Sequence, residues 1–127
     1  IGECAGVVID LIATLFLESE EKIENANEAF KNHVYSGAIY YAYQSLVNTA
    51  KAMLLADKKK TNTHASIISQ FDEVFVTSKK IDIGISFSEL IYQINKYAPS
   101  KEFAEIYIKN STKFLQKVRA YRTAETS

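Results

Sequence analysis

Apolar residues along the chain recur at steps of three and four, the period of an amphipathic helix. Val8, Ile12, Leu15, Ile23, Ala26 and Phe30 keep those steps, and Ser19 occupies the one missing place. Glu18, Glu20, Glu21, Lys22, Glu24 and Glu28 cover the other side. This predicts a first helix from about Val7 to His33. The pattern breaks at Tyr35, Ser36 and Gly37, where Ser36 is the expected N-cap of a second helix running from Gly37 to about Asp57. Ala38, Ile39, Tyr41, Ala42, Leu46, Ala50, Met53 and Leu54 make that helix apolar on most faces, which predicts the most buried helix of a bundle. Lys58, Lys59 and Lys60 follow its C-terminus, where positive charge suits the helix dipole.

Thr63 is the expected cap of a third helix over Ala65 to Thr77, with His64, Ile67, Ile68, Phe71 and Phe75 on its apolar stripe. A loop from Ser78 to Ile85 follows, with Gly84 free to turn. Ser86 and Glu89 have capping-box spacing and open a short fourth helix, Phe87 to Tyr97. Pro99 stops it. Ser100 caps a last helix to about Arg122, with Phe103, Tyr107, Phe114, Val118 and Tyr121 on one face. These elements predict an all-α, up-and-down bundle of about five helices. We divide the chain into residues 1–18 as a junction and helix start, 19–122 as the bundle, and 123–127 as a frayed tail.

Composition sharpens this picture by exclusion. The 127 residues suit one domain, and one Pro with four Gly is too few turn residues for most sheet proteins. Fifteen basic residues balance fifteen acidic ones, so no global field draws the chain to nucleic acid or anionic lipid. Cys4 is the single cysteine, which fits a reducing compartment and a cytoplasmic location. It reads as a small apolar residue. The longest apolar run, Val7 to Leu17, is interrupted by Asp10 and is too short to span a membrane. Neither His has a Glu three residues before it, so no di-iron ligand pattern is present, and no metal or other cofactor is expected.

Four segments in order carry a resemblance. They are Tyr35-Ser36-Gly37-Ala38-Ile39-Tyr40-Tyr41-Ala42-Tyr43, Ala50-Lys51-Ala52-Met53-Leu54-Leu55, Thr63-His64 after a Lys-rich loop, and Phe71-Asp72-Glu73-Val74-Phe75-Val76. Together they resemble the HEPN family, over about Ser19 to Arg122. The resemblance implies a helical bundle that commonly forms homodimers. It also implies one of three trades: metal-independent RNA cleavage, nucleotide binding, or partnership with a nucleotidyltransferase. Cleaving members carry an Arg and a His four to six residues apart on a later helix. Here the only arginines are Arg119 and Arg122, and no His follows either. Gln93-Ile94-Asn95-Lys96-Tyr97 stands where the family usually has the Arg. Gly2-Glu3-Cys4-Ala5-Gly6-Val7 is similar to a junction in nitrite and sulfite reductase-like proteins that end in such a domain, which would make this chain the C-terminal part of a larger parent.

Among candidate binding residues, His64 has two readings. It could contact a phosphate with Lys59 or Lys60, using helix-end amides behind Thr63. The leading reading has its ring hydrogen-bonded within the bundle to fix the loop. Adjacent residues point about 100° apart on a helix, so Tyr40, Tyr41 and Tyr43 cannot all face one way; Tyr41 and Ala42 are expected to face the core and Tyr40 or Tyr43 to reach a partner surface. His33 reads as a C-terminal cap group, and the acidic run Glu18 to Glu24 as a solvated face. The leading expectation is a non-enzymatic interaction or dimerisation module. The alternatives are a nucleotide-binding regulatory domain that uses His64, Lys59, Lys60, Thr63 and Tyr40, and a ribonuclease with a non-standard site.

Overall fold

The computed structural model describes residues 2–126, and the side chains of 6–125. The reading of Cys4 therefore lies outside the described side chains. Five helices and no strand occur among the described residues: α1 (Gly2–Lys31), α2 (Tyr35–Ala56), α3 (His64–Phe71), α4 (Phe87–Tyr92) and α5 (Lys101–Thr126). The all-α bundle read from periodicity is the fold. The long helices α1, α2 and α5 pack on one another, with α2 also against α3.

The α1–α2 turn is tighter than a capped start allows. His33 takes a left-handed conformation, φ 63°. The His33 N–H then bonds the Phe30 carbonyl and the Val34 N–H the Ala29 carbonyl, which closes α1 as a Schellman motif. The chain enters α2 at once, at Tyr35 behind Val34, with no side-chain cap. Ser36 is thus inside the first turn rather than the N-cap, and α1 stops at Lys31 rather than His33. Gly37 eases the turn, because a Cβ on it would stand 3.0 Å from a Val34 methyl, which would have to give by a few tenths of an ångström. The same motif ends α2. Lys58 has φ 61°, and its N–H and that of Lys59 bond the carbonyls of Leu55 and Leu54.

Between the large buried residues of the α1–α2 seam, such as Leu15, Ile23 and Leu46, stands a set of small ones. Ser19, Ala26, Ala38, Ala42, Ser45, Thr49 and Ala50 are all 1% exposed or less. Ser19 fills the missing apolar step for a reason. Its hydroxyl donates to the Leu15 and Ser45 carbonyls at 3.0 and 3.3 Å, and Ser45 returns a bond to the Ser19 carbonyl at 2.9 Å. Small side chains let the two backbones approach, and the reciprocal bonds satisfy hydroxyls buried by that approach.

Beneath the seam lies an aromatic heart. The Phe71 ring is 4.7 Å from Phe87, 5.0 Å from Phe75 and 5.3 Å from Phe114, and Phe87 stacks on Phe114 at 4.9 Å. α3 ends at Phe71 and the chain continues as a wider π turn, Asp72–Val76, closed by the Thr77 N–H on the Asp72 carbonyl. The expected single helix to Thr77 is therefore two elements. The wider turn accompanies a bond made across the bundle: the Asp72 carboxylate accepts from the backbone N–H groups of Phe87 and Ser88 and from the Ser88 hydroxyl. Ser86 accepts from the Glu89 N–H, so the first donors of α4 are all satisfied. α4 yields to a 3-10 turn at Gln93–Asn95, short of the expected Tyr97. The Ser100 hydroxyl accepts from Phe103, as a cap should.

Candidate functional site

The α2–α3 junction positions one polar pair. Thr63 is extended, its hydroxyl accepts from the Ser66 N–H at 3.0 Å, and α3 starts at the next residue, His64. This start holds the imidazole against α2, where Nδ1 and the Tyr43 hydroxyl are 2.9 Å apart and the rings 5.7 Å apart. The phenol donates when Nε2 carries the ring proton and accepts when Nδ1 does. His64 itself is exposed rather than buried on the stripe; Ile67, Ile68, Phe71 and Phe75 form the buried face without it. The Tyr43 phenol is pushed above the ordinary value of 10.0, first by burial, then by the neighbouring phenols of Tyr92 and Tyr40. Tyr40 and Tyr92 are 58% and 40% exposed, so an accessible imidazole and two accessible phenols surround a phenol held neutral. Such a group can hydrogen-bond and stack on a planar ligand, whereas a neutral phenol is a poor base or nucleophile.

Of the residues expected from sequence, the structure joins His64 to Tyr43 and brings Tyr40 into electrostatic range of that phenol. Thr63 spends its hydroxyl on the helix cap. Lys59 and Lys60 are exposed on the connecting loop, and no side-chain hydrogen bond or ion pair ties them to the pair among the described residues. Sequence reasoning offered Tyr43 only as an alternative to Tyr40 for reaching a partner surface and not as a partner of His64, because periodicity within α2 does not say which face α3 will cover. No group of three His, Cys, Asp or Glu able to hold a metal ion occurs among the described residues.

A second region is apolar. Val7, Ile9, Leu11 and Leu17, all in the first half of α1, are between 46% and 65% exposed. Ile9, Phe16 and Leu17 border a groove of about 470 Å³ against Arg119 and Arg122 of α5. Arg119 is engaged there, 2.8 Å from the Glu20 carboxylate and over the Phe16 ring at 5.1 Å. Gln93 opens the segment Gln93-Ile94-Asn95-Lys96-Tyr97, as the first residue of the 3-10 turn that follows α4. Its side-chain oxygen is enclosed with no hydrogen-bond partner among the described residues.

An all-α bundle of five helices is the class of fold that the resemblance anticipates. The HEPN domain model matches residues 12–121, and the chain belongs to the HEPN family. It is also 28% identical over 117 residues to a protein of Methanocaldococcus jannaschii named "Putative toxin MJ0605", covering 85% of this chain and 86% of that one. Neither match concerns a reductase. No helix of the described residues is long and apolar enough to cross a membrane.

Proposed function

We propose that this HEPN domain is a non-catalytic interaction module that pairs with a second copy through the first half of α1. The observation that carries this reading is the exposure of Val7, Ile9, Leu11 and Leu17 on a stretch of α1, residues 7–17, in which only Asp10 and Thr14 are polar. A stretch of that kind belongs in an interior, and a two-fold contact between copies provides one. The engagement of Arg119 with Glu20 and Phe16, and the absence of any His after Arg119 or Arg122, support the non-catalytic part. Sedimentation equilibrium tests the pairing. The expected result is a dimer for the wild type and a monomer for the double variant Ile9→Glu and Leu17→Glu, with helicity unchanged. A wild type that stays monomeric at high micromolar concentration overturns it.

The exposed His64–Tyr43 pair favours a second reading, a cytoplasmic nucleotide-binding regulator with His64, Tyr40 and Lys59 or Lys60 around the ligand. A thermal-shift panel of nucleoside mono-, di- and triphosphates separates the two. A shift in the wild type that disappears in His64→Ala supports the regulator. The Methanocaldococcus jannaschii relative is named "Putative toxin MJ0605", and metal-independent RNA cleavage is one of the trades that the family resemblance implies. Cleavage of structured or unstructured RNA by the pure protein would therefore displace both readings.

A further inference from the structure

Charge is segregated on this neutral chain. Five of the acidic residues, Glu18, Glu20, Glu21, Glu24 and Glu28, lie within eleven positions of α1. On α5, Lys109, Lys113 and Lys117 recur every four residues, all exposed, with no acid between them at that spacing. Residues four apart on a helix are neighbours, and like charges there destabilise it. None of the three is within ion-pair distance of a carboxylate among the described residues. Lys117 instead donates to the backbone carbonyl of Asp82 at 2.8 Å, which ties the loop 78–85 to α5 but leaves its charge uncompensated.

Beside this row the loop and α5 enclose a hollow of about 260 Å³, with Ile83, Ile85, Leu90 and Phe114 on its floor and Lys113 and Lys117 on its rim. A second hollow of about 540 Å³ shares Gly84 and Ile85 with it and is bordered by Lys79 and Asp82. Three lysines and one carboxylate thus surround an apolar trough, and that carboxylate is already bonded to the Gly84 N–H. Gly84, at φ 84°, supports the bend that keeps the trough open.

We infer that this trough is a docking site for an acidic, amphipathic segment of a partner protein, which seats an aliphatic side chain between Ile85 and Leu90 and sets its carboxylates on Lys113, Lys117 and Lys79. Charge complementarity selects the acidic partner. The apolar floor selects a peptide over single-stranded nucleic acid, because its one ring, Phe114, is buried and offers no face on which a base could stack. The site lies on the α4–α5 side and does not depend on the α1 pairing face.

The probe is a fluorescein-labelled peptide of three Glu-Glu-Leu-Leu repeats, compared with its Gln-Gln-Leu-Leu counterpart and an oligouridine of equal length, by anisotropy on the wild-type protein. The acidic peptide is expected to bind saturably, about tenfold tighter than the glutamine peptide, and more weakly as salt rises. Lys113→Glu and Ile85→Asp should each weaken it about tenfold, with circular dichroism melts confirming folded variants and Lys113→Ala giving a smaller loss in the same direction. Amide shifts on titration should cluster at residues 83–90 and 110–117. Absence of saturable binding, equal binding by all variants, amide shifts confined to α1, or tighter binding of oligouridine lost in the same variants overturns the proposal.

Discussion

The bundle is held by two interiors built on opposite plans. The α1–α2 seam carries a set of small residues and is closed by the reciprocal Ser19–Ser45 bonds. The heart below it is made of large rings, Phe71, Phe75, Phe87 and Phe114, with Tyr107 in the same interior. The seam gains stability from close backbone approach and dispersion, and each of its small side chains carries little buried area. The heart gains it from area, roughly 150–250 Å² per aromatic ring. The seam should therefore fail when something is added, and the heart when something is taken away.

Removal from the heart is the largest expected effect. Phe87→Ala deletes a fully buried ring that contacts both Phe71 and Phe114 and leaves a cavity where the short α4 cannot close in. A loss of about 3–5 kcal/mol is expected from urea unfolding. A loss below about 1 kcal/mol would show that the heart collapses around the gap and is not the rigid half. The converse change at the seam is Ser19→Leu, which restores the missing apolar step of α1. Sequence pattern alone would rate it favourable. The structure predicts about 1–3 kcal/mol of destabilisation, because the added volume separates two backbones held together by small residues. A stabilised variant would remove the distinction between the two interiors.

How legible these interiors were follows from the same contrast. The heart could be read directly, since Ile67, Ile68, Phe71, Phe75, Phe103, Tyr107, Phe114 and Val118 are large residues at helical spacing and all are buried. Of the seam, Ala26, Ala38, Ala42 and Ala50 were legible as apolar positions, whereas Ser19 showed only as a gap and Ser45 and Thr49 gave no signal, because a hydroxyl residue does not register in an apolar pattern. Thr63, Ser86 and Ser100 were legible as caps, since a hydroxyl at an N-cap is a local device. Ser36 misled, because the turn before it is closed by backbone bonds and His33 in the left-handed region, which no residue type there announces. At the candidate site, His64 was visible as a polar residue behind a cap. Its partner Tyr43 was hidden, because meeting it depends on where α3 crosses α2.

That crossing can itself be tested. Thr63→Ala removes the hydroxyl that starts α3, and a loss of about 1 kcal/mol is expected. The effect should be local, with faster hydrogen exchange at residues 64–67 and no change along α1. Uniform acceleration across the bundle would mean that α3 is not a separable unit and that the two interiors unfold as one.

The smallest effect at neutral pH separates the heart by its titration. The Tyr107 hydroxyl is fully buried and donates to the Ile91 carbonyl at 3.0 Å, and burial holds its pKa far above the ordinary tyrosine value. Tyr107→Phe leaves the ring and removes the bond, so a loss of about 0.5–1.5 kcal/mol is expected at pH 7. The sign of the pH dependence follows from the raised folded pKa. The neutral phenol is favoured by the fold, so its contribution is complete below pH 10 and is lost as pH rises above that value, where only the unfolded chain ionises. Wild-type stability should fall above pH 10 by up to about 1.4 kcal/mol per pH unit from this one group. Tyr107→Phe lacks that component, so its curve should fall less steeply and converge on the wild type. Parallel curves from pH 9 to pH 11 would place the alkaline sensitivity in the other tyrosines, Tyr43 foremost, and so at the exposed α2–α3 junction instead of the heart.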